Sequence, residues 1–375
     1  MPAGKAAPMN VYERLGVKPM INAWGTVTKI GGSRMDPRVL EAMTEASHSF
    51  VDMHLLHRNA GAAIAEMLGG EAACITSGAA AGLSIAAAAC MAGSDLAKVL
   101  QLPDTSTMRN EALVLKAHRI LYDQGLRLSG VTFVEIGVTS FSSTAQIEAA
   151  VTDRTALFFY AAEAVTMRGS LPLREVARAL TGRGIPIVVD AAAELPLLSK
   201  LHEFFEDGAD LVVFSGGKEI RGPQSSGIIL GSKQLIDDCD ANCFPNYGIG
   251  RAMKTDKETI VGLVKAVELF VQRDYEVIYG EWEEMVATIA SAISDLPQCS
   301  ARRGLPIEPG VQPADIPRAY LEPHGISAIE LKDRLLKGEP SVSASVYGNE
   351  LVLNPQCLAA DDVAPLISAV LAALR

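Results

Sequence analysis

Short apolar runs recur along the chain, and helical patterns separate them. The runs are "AACITSG", "VTFVEIG", "TALFFY", "IPIVVDAA", "LVVFSGG" and "SGIILG". Between them lie segments such as "STAQIEAAVTD" and "LREVARALTGRG", the second of which closes on glycine as helix C-termini often do. This alternation predicts an α/β fold in which a mostly parallel sheet lies between two layers of helices. In such folds the functional residues are expected at the carboxyl ends of the strands.

The length of 375 residues predicts a large domain and a smaller one. A long helical stretch runs through "EWEEMVATIASAIS", and the proline- and glycine-containing segment "RRGLPIEPGVQPADIPRAY" follows it. We therefore predict an N-terminal arm over residues 1–35, a large domain over 36–285 and a small C-terminal α+β domain over 286–375. The arm can pack on the small domain.

Composition and charge exclude several function classes. The net charge of −11 argues against binding to nucleic acid or to an anionic membrane surface. The longest apolar stretch, Ala79 to Gly93, covers 15 residues and is too short to span a bilayer. Six scattered cysteines and an N-terminus without an apolar signal region favour free thiols in a reducing, cytoplasmic compartment.

Residues suited to catalysis or to ligand binding follow several of the predicted strands. After "AACIT", the residues Ser77, Gly78 and Ala79 lead into an alanine-rich helix whose first N–H groups could bind phosphate. An ordinary N-capping serine followed by a turn glycine fits the same letters. Asp190 ends the strand "IPIVVD", where it is either a buried functional acid or a turn residue.

The stretch "FSGGKEIRGPQSSG" follows another apolar strand and contains one lysine, Lys218. Asp190 ends one predicted strand, and Lys218 follows the next strand along the chain. The two side chains can therefore lie together at one edge of the sheet, near Ser215. A lysine, a buried acid and a phosphate-binding helix end together meet the needs of pyridoxal 5'-phosphate. The combination is more specific than any one of its members.

Competing motifs do not fit. Gly217 and Lys218 are followed by Glu219 instead of Ser or Thr, which excludes a P-loop. "YGIGRAM" lacks the last glycine of a dinucleotide fingerprint. The pair His54 and His57 lacks the H-E-x-x-H pattern of a zinc site, so a structural role is favoured and no metal is expected.

Five segments together resemble a known family. They are "INAWGTVTKIGGS", "HRNAGAAIAEMLGGEAACITSGAAAGL", "VDAAAELP", "FSGGKEIRGPQSSGIILG" and "GIGRAMKTDKETIVGL". The chain resembles the selenocysteine-synthase-like (L-seryl-tRNA selenium transferase-like) branch of the fold-type I pyridoxal-phosphate enzymes. Within that branch it is most similar to the group of the D-glucosaminate-6-phosphate ammonia-lyases. The resemblance implies the fold-type I architecture, a large domain with a mostly parallel sheet and a smaller C-terminal domain.

The resemblance also implies roles for cofactor-binding residues. Lys218 matches the lysine that forms the Schiff base, and Asp190 matches the partner of the pyridine nitrogen. The phosphate would be bound by Ser77, Gly78, Ala79 and Ser215. His118, in "VLKAHRILYD", falls where these enzymes often place a group that stacks on the cofactor ring, although a helix-surface histidine fits the same letters.

Substrate-binding residues follow less directly. Arg251 resembles an anion-binding arginine of selenocysteine synthases, where a neighbouring subunit completes the site, and Lys254 stands where those enzymes have a second arginine. The strand "SVSASV" lacks the arginine that many fold-type I enzymes use for the substrate carboxylate. Arg221, Arg251 or Arg318 are the alternatives. A homodimer or a larger even-numbered homo-oligomer is expected.

We therefore expect an α,β-eliminating lyase for a small hydroxylated amino acid or amino sugar acid, with a keto acid and ammonia as products. Lys218 would remove the Cα proton, and His118 or Lys218 would supply a proton to the leaving hydroxyl. An amino-acid racemase or epimerase is the alternative. A selenium transferase is disfavoured because the tRNA-binding N-terminal extension is absent, and a non-catalytic cofactor-binding protein is disfavoured by the intact Lys218 and Asp190.

Overall fold

The computed structural model describes residues 10–196, 198–294, 296–308 and 310–375. By their internal contacts they form two compact units. Of these residues, the larger unit comprises those within Gly31–Tyr275 and Ile307–Pro313, and the smaller comprises residues 10–30 and those within Glu276–Pro306 and Ala314–Arg375. The sequence predicted boundaries after residues 35 and 285, and the structural division falls after residues 30 and 275. Residues 1–9 of the predicted arm lie outside the described residues.

The strands are short and mostly apolar. In chain order they are β1 (Met20–Asn22), β2 (Ala72–Thr76), β3 (Glu111–Leu115), β4 (Thr132–Ile136), β5 (Thr155–Ala161), β6 (Ile187–Asp190), β7 (Leu211–Ser215), β8 (Gly227–Gly231), β9 (Cys299–Gly304), β10 (Arg318–Pro323), β11 (Ser341–Ser343), β12 (Ser345–Tyr347) and β13 (Glu350–Leu353).

The helices alternate with the strands in the larger unit. In chain order they are α1 (Val11–Arg14), α2 (Pro37–Ser47), α3 (Met53–Leu68), α4 (Ala79–Ala92), α5 (Leu96–Gln101), α6 (Asp123–Arg127), α7 (Thr144–Ala150), α8 (Leu173–Leu180), α9 (Leu198–Glu206), α10 (Lys233–Asn242), α11 (Lys257–Val271), α12 (Tyr275–Ser294), α13 (Ala328–Lys337) and α14 (Ala360–Ala373). Short 3-10 helices cover Thr28–Ile30, Lys116–His118, Ala162–Ala164 and Pro355–Cys357.

The larger unit is built on a sheet of order β2-β8-β7-β6-β5-β3-β4. β8 runs antiparallel to both of its neighbours, and the other neighbouring pairs are parallel. The predicted mostly parallel sheet is thereby confirmed. Its carboxyl edge brings together the ends of β2, β5, β6 and β7, which the sequence separates by up to 139 residues from Thr76 to Ser215.

Both faces of this sheet are covered. Alternate residues of β5 point to opposite sides, so that Phe158 belongs to a core shared with α3 and α11, and Phe159 belongs to a core shared with α4 and α10. Both phenylalanine side chains are fully buried. This double burial explains why the strands are almost continuously apolar instead of alternating.

The smaller unit contains a parallel pair, β1 with β11, and an antiparallel sheet of order β12-β13-β10-β9. Its core gathers apolar side chains from these strands and from α12, α13 and α14. None of the helices within the described ranges is both long enough and apolar enough to span a membrane.

Candidate active site

The registers at the carboxyl edge of the large sheet place the predicted residues side by side. Ala161 of β5 is paired with Asp190 of β6, and Asp190 is in turn paired with Val213 of β7. Ser215, at the end of β7, is paired with Gly227 of β8. Gly227 is also paired with Thr76, the last residue of β2. The two phosphate-binding candidates therefore lie on either side of Gly227: Ser77 directly follows β2, and Ser215 is the last residue of β7.

The N-terminus of α4, which follows β2, has no hydrogen bond to a capping side chain. Its N-cap residue is Gly78, which has no side chain to bind the first N–H groups of α4, and Gly78 adopts a φ of 137° that favours glycine. In contrast, Asp52 and Asp256 cap α3 and α11 through their carboxylates. The start of α4 is thus left open to an external anion, as the helix dipole favours.

The close approach of Gly227 shapes the turn at Ser77 and Gly78. A Cβ atom at Gly227 would lie 2.6 Å from the carbonyl carbon of Gly78 and 2.9 Å from the backbone nitrogen of Ala79. The hydroxyl of Thr76 donates to the carbonyl oxygen of Gly78 at 2.9 Å. The turn is therefore held on one side by β8 and on the other by the end of β2.

Lys218 lies on a tightly bonded loop between β7 and β8. The N–H of Gly216 donates to the carbonyl oxygen of Ser226 at 2.9 Å, and that of Gly222 donates to the carbonyl oxygen of Gly216 at 2.8 Å. From outside the loop, the hydroxyl of Ser33 donates to the carbonyl oxygen of Gly217 at 2.9 Å. The loop fixes the backbone from which the lysine projects.

The ammonium group of Lys218 is desolvated and faces carboxylates. Burial lowers its pKa from the usual range, whereas Asp190, Glu163 and Glu194 raise it by their charge. The lowered pKa increases the fraction of neutral amine, which is the form that acts as a base or a nucleophile.

Asp190 is a buried acid, with 9% of its surface exposed. Burial raises the pKa of its carboxyl, while a hydrogen bond from the N–H of Ala192 and the charge of Lys218 lower it. The backbone hydrogen bond measures 3.1 Å and fixes the orientation of the carboxylate. Asp190 and Lys218 thus interact electrostatically, as the sequence spacing predicted.

Two further carboxyl groups belong to this cluster and were missed from the sequence. Glu163 lies on the 3-10 turn after β5, and burial together with the charge of Asp190 raises its pKa. Glu194 lies four residues after Asp190, and burial raises its pKa to about 7. The rule that directed attention to Asp190 and Lys218 also applies to "TALFFYAAE", where a glutamate follows a buried strand.

His118 follows β3 and is fully buried. Its Nδ1 accepts a hydrogen bond from the N–H of Ala161 at 3.2 Å, and its Nε2 lies 2.7 Å from the hydroxyl of Ser170. Because Nδ1 is an acceptor, the neutral ring carries its proton on Nε2 and donates to Ser170. Burial lowers the pKa of His118 to about 4, and the ring packs edge-on against Tyr160 at 4.5 Å between centroids.

The four candidate substrate-binding residues differ in burial and in the groups that they contact. Arg221 is half-buried at a φ of 59°, and its Nε lies 4.0 Å from a carboxylate oxygen of Glu219. Arg251 and Lys254 are exposed on the surface of the larger unit, with Arg251 over the ring of Phe244 at 5.3 Å. Arg318 lies in the smaller unit, is buried on β10 and donates to the carbonyl oxygen of Ile316 at 2.6 Å.

Comparisons with known proteins agree with this arrangement. The D-glucosaminate-6-phosphate ammonia lyase of Salmonella typhimurium (strain 14028s / SGSC 2262) is 32% identical over 371 residues, covering 96% of each chain. A 5'-C-glycyluridine monooxygenase-decarboxylase of Streptomyces sp. is 34% identical over 366 residues, covering 93% of this chain and 88% of that one. The similarity to the ammonia-lyase group that the sequence indicated is confirmed.

Solved structures give the same result at the level of the fold. A structure of D-glucosaminate-6-phosphate ammonia-lyase superposes with a TM-score of 0.86 at 30% identity, covering 98% of this chain and 99% of that chain. A serine palmitoyltransferase from S. paucimobilis, 12% identical, shares the fold with a TM-score of 0.61 over 95% of this chain and 88% of that one. The predicted fold-type I architecture is confirmed.

The family follows from a match over most of the larger unit. The family model described as "SelA: L-seryl-tRNA selenium transferase" matches residues 20–281. This stretch contains the turn before α4, Asp190 and the loop of Lys218. The chain therefore belongs to the SelA, or L-seryl-tRNA selenium transferase, family.

Proposed function

We propose that this protein is a pyridoxal-phosphate-dependent ammonia-lyase that removes the β-hydroxyl and the amine of a hydroxylated amino acid or amino sugar acid. The observation that carries the proposal is one cluster of three parts: the desolvated Lys218, the buried Asp190 and the uncapped start of α4. The 32% identity to a D-glucosaminate-6-phosphate ammonia lyase supports this reaction over the racemase alternative.

The residues fit the cofactor in charge and shape. Phosphate would be held by the N–H groups after Gly78, with Ser77 directly after β2 and Ser215 at the end of β7. Asp190 would hold a proton on the pyridine nitrogen, because its burial makes a charged partner strongly favourable. Lys218 would bind the aldehyde. When bound, pyridoxal phosphate supplies an electron-poor ring that stabilises negative charge at the substrate Cα.

The protein's own residues then carry the proton transfers. The neutral amine of Lys218, favoured by burial, accepts the Cα proton. The loop bonded through Gly216, Gly222 and Ser33 holds the lysine backbone still, so that the amine stays within reach of Cα. Asp190 would stay ionised throughout and hold the proton of the pyridine nitrogen.

Substrate-binding and assembly roles are part of the same proposal. Arg251 and Lys254 are exposed on the single chain, and Arg251 lies over the exposed ring of Tyr247 at 5.9 Å. We propose that they reach the site of a neighbouring subunit in a homodimer or a larger even-numbered assembly, while Arg221 holds the substrate carboxylate. Light scattering coupled to size exclusion tests this, and a monomer would contradict it.

A cytoplasmic location is proposed as well. It is supported by the six cysteines, which are all free thiols in the structure.

The test combines a spectrum with product assays. Wild type, Lys218→Ala and the surface control Lys98→Ala are mixed with pyridoxal phosphate, and the visible band of lysine-bound cofactor is measured. Each protein then receives D-glucosaminate 6-phosphate, D-glucosaminate and both enantiomers of serine, and keto acid and ammonia are assayed. We expect the band and both products from wild type and Lys98→Ala, and neither from Lys218→Ala.

Two other outcomes identify competing functions. Inversion at Cα without keto acid would indicate a racemase. The 34% identity to a monooxygenase-decarboxylase supports a second candidate, for which substrate-dependent consumption of oxygen and release of carbon dioxide are the signature. Absence of the cofactor band in wild type would refute the whole assignment.

A further inference from the structure

The elimination needs an acid for the departing hydroxyl, because hydroxide is a poor leaving group until it is protonated. We propose that Glu163 is this catalytic acid, donating its carboxyl proton to the β-hydroxyl oxygen of the substrate. The inference rests on the proposed lyase function and adds a residue that the sequence did not single out.

The sheet puts Glu163 beside the reacting groups. It follows Ala161, which is paired in register with Asp190, by two residues on the 3-10 turn Ala162–Ala164. Its carboxylate interacts electrostatically with Asp190 and with Lys218. In the sheet, β5 is separated from β7 by β6 alone, so Glu163 follows a strand close to the one that precedes Lys218. Since Lys218 takes the proton from Cα, Glu163 would act at the adjacent Cβ.

The side chain of Glu163 is only partly buried. It lines a cavity of about 440 Å³ together with the segment Arg119–Asp123, which follows β3. Among the described residues, its carboxylate makes no hydrogen bond and no ion pair. A carboxyl group in a cavity that is not committed to another partner can be both a donor and an acceptor of protons during turnover.

The surroundings favour the protonated form that an acid needs. Burial is the main cause of the raised pKa of Glu163, and the negative charge of Asp190 adds to it, whereas Lys218 opposes it. Desolvation and a nearby carboxylate both shift the equilibrium of a carboxyl group toward its protonated form.

His118 acts as a positioning residue for Glu163. The ring is fully buried, its Nδ1 binds the N–H of Ala161, and its Nε2 is engaged with Ser170. These bonds fix the end of β5, two residues before the glutamate. Since both ring nitrogens are occupied, His118 holds the strand end in place and leaves the proton transfer to Glu163.

The proton balance closes with these two residues. The Cα–H bond breaks and its proton goes to Lys218, while the bonding electrons form the Cα=Cβ bond. The Cβ–O bond breaks, and the oxygen takes the proton of Glu163 and leaves as water. The proton on Lys218 then returns to the Glu163 carboxylate, and water hydrolyses the released unsaturated amine to the keto acid and ammonia.

The main experiment uses Glu163→Gln, with the exposed Glu148→Gln on α7 as the matched control. Exchange of the substrate Cα hydrogen in D₂O is measured by NMR beside keto acid release, with the fastest hydroxylated substrate of the panel above. We expect Glu163→Gln to keep exchange within about tenfold of wild type and to lose about 10²–10⁴-fold in keto acid release. Equal losses of exchange and release, or no loss, would overturn the proposal.

A substrate that needs no acid gives an independent check. Chloride leaves without a proton, so D- and L-β-chloroalanine should release pyruvate at similar rates from wild type and Glu163→Gln. An equal fall in release from the chlorinated and hydroxylated substrates would contradict the assigned role.

A readout without cofactor separates this inference from the lyase proposal. The labelling rate of the Lys218 amine by dinitrofluorobenzene is followed against pH by mass spectrometry in the cofactor-free proteins. Because the Glu163 carboxylate stabilises the ammonium form, Glu163→Gln should lower the apparent pKa of Lys218, and Glu148→Gln should leave it unchanged. An unchanged pKa would remove Glu163 from the site, whereas wild type that labels as expected but releases no keto acid would refute the lyase function.

Discussion

Replacing Gly227 by alanine should displace the turn at Ser77 and Gly78, where we propose that phosphate binds. The new Cβ would lie 2.6 Å from the carbonyl carbon of Gly78, 2.7 Å from the hydroxyl oxygen of Thr76 and 2.9 Å from the nitrogen of Ala79. Two of these atoms are backbone, and real Cβ contacts essentially never fall below 3.0 Å. The start of α4 must therefore move away from β8.

The cost has two parts. Forcing a methyl group into a packed site costs about 1–3 kcal/mol of folding free energy. Displacing even one N–H group from a phosphate oxygen removes a charge-assisted hydrogen bond of roughly 1.5–3 kcal/mol, and 1.4 kcal/mol is tenfold in affinity. We therefore expect the dissociation constant for pyridoxal phosphate to rise by roughly 10- to 100-fold.

The assay is a titration of cofactor-free protein with pyridoxal phosphate, followed by absorbance, beside urea unfolding of the same samples. Gly280→Ala is the control, because no atom lies within 4 Å of the place that its new methyl group would take and Gly280 is inside α12. Alanine should stabilise that helix by up to about 1 kcal/mol and leave cofactor affinity unchanged. If Gly227→Ala loses stability but binds the cofactor as tightly as wild type, phosphate does not bind at this turn.

Four further outcomes are expected. Asp190→Asn should keep the fold and lower the rate of keto acid release by roughly 10²–10³-fold, because the amide cannot stabilise a protonated ring nitrogen; unchanged steady-state rates would refute this role. Burial raises the pKa of Glu194 from 4.5 to about 7, so its contribution to stability is present below pH 4.5 and is lost as the pH rises toward 7. In urea unfolding across this pH range, the free energy of unfolding of wild type should therefore decrease by roughly 3 kcal/mol relative to that of Glu194→Gln. If the free energies of the two proteins change in parallel with pH, the burial of Glu194 is contradicted. The pH dependence of stability that His118 contributes has the opposite sign, because burial lowers its pKa from 6.5 to about 4. As the pH falls through this range, the free energy of unfolding of wild type should decrease by roughly 3 kcal/mol relative to that of His118→Gln. A difference between the two proteins that does not change with pH would refute this. Arg221→Gly should relieve about 1 kcal/mol of backbone strain at the φ of 59° and raise KM for the substrate, whereas a loss of stability in thermal unfolding would show that the side chain matters more than the strain.

The sequence by itself determined the fold class and predicted that Asp190 and Lys218 lie together at one edge of the sheet. Strand-like apolar runs alternate with helical patterns, and parallel strands place their carboxyl ends at one edge, so Asp190 and Lys218 were expected together from the order of the chain alone. The alanine-rich start of α4 after Ser77 and Gly78 likewise indicated an anion site. These predictions depend on local order and on sheet topology, both of which are written in short stretches of sequence.

Only the tertiary structure decided which other groups complete the cluster. Glu163 and Glu194 look like ordinary loop glutamates, because a sequence does not show how much water reaches a carboxyl group. His118 was expected at the cofactor ring, and the structure shows both of its nitrogens bonded to Ala161 and Ser170. Burial, pKa and hydrogen-bond partners arise from contacts between distant segments, and those contacts exist only once the sheet and its two helical layers have assembled.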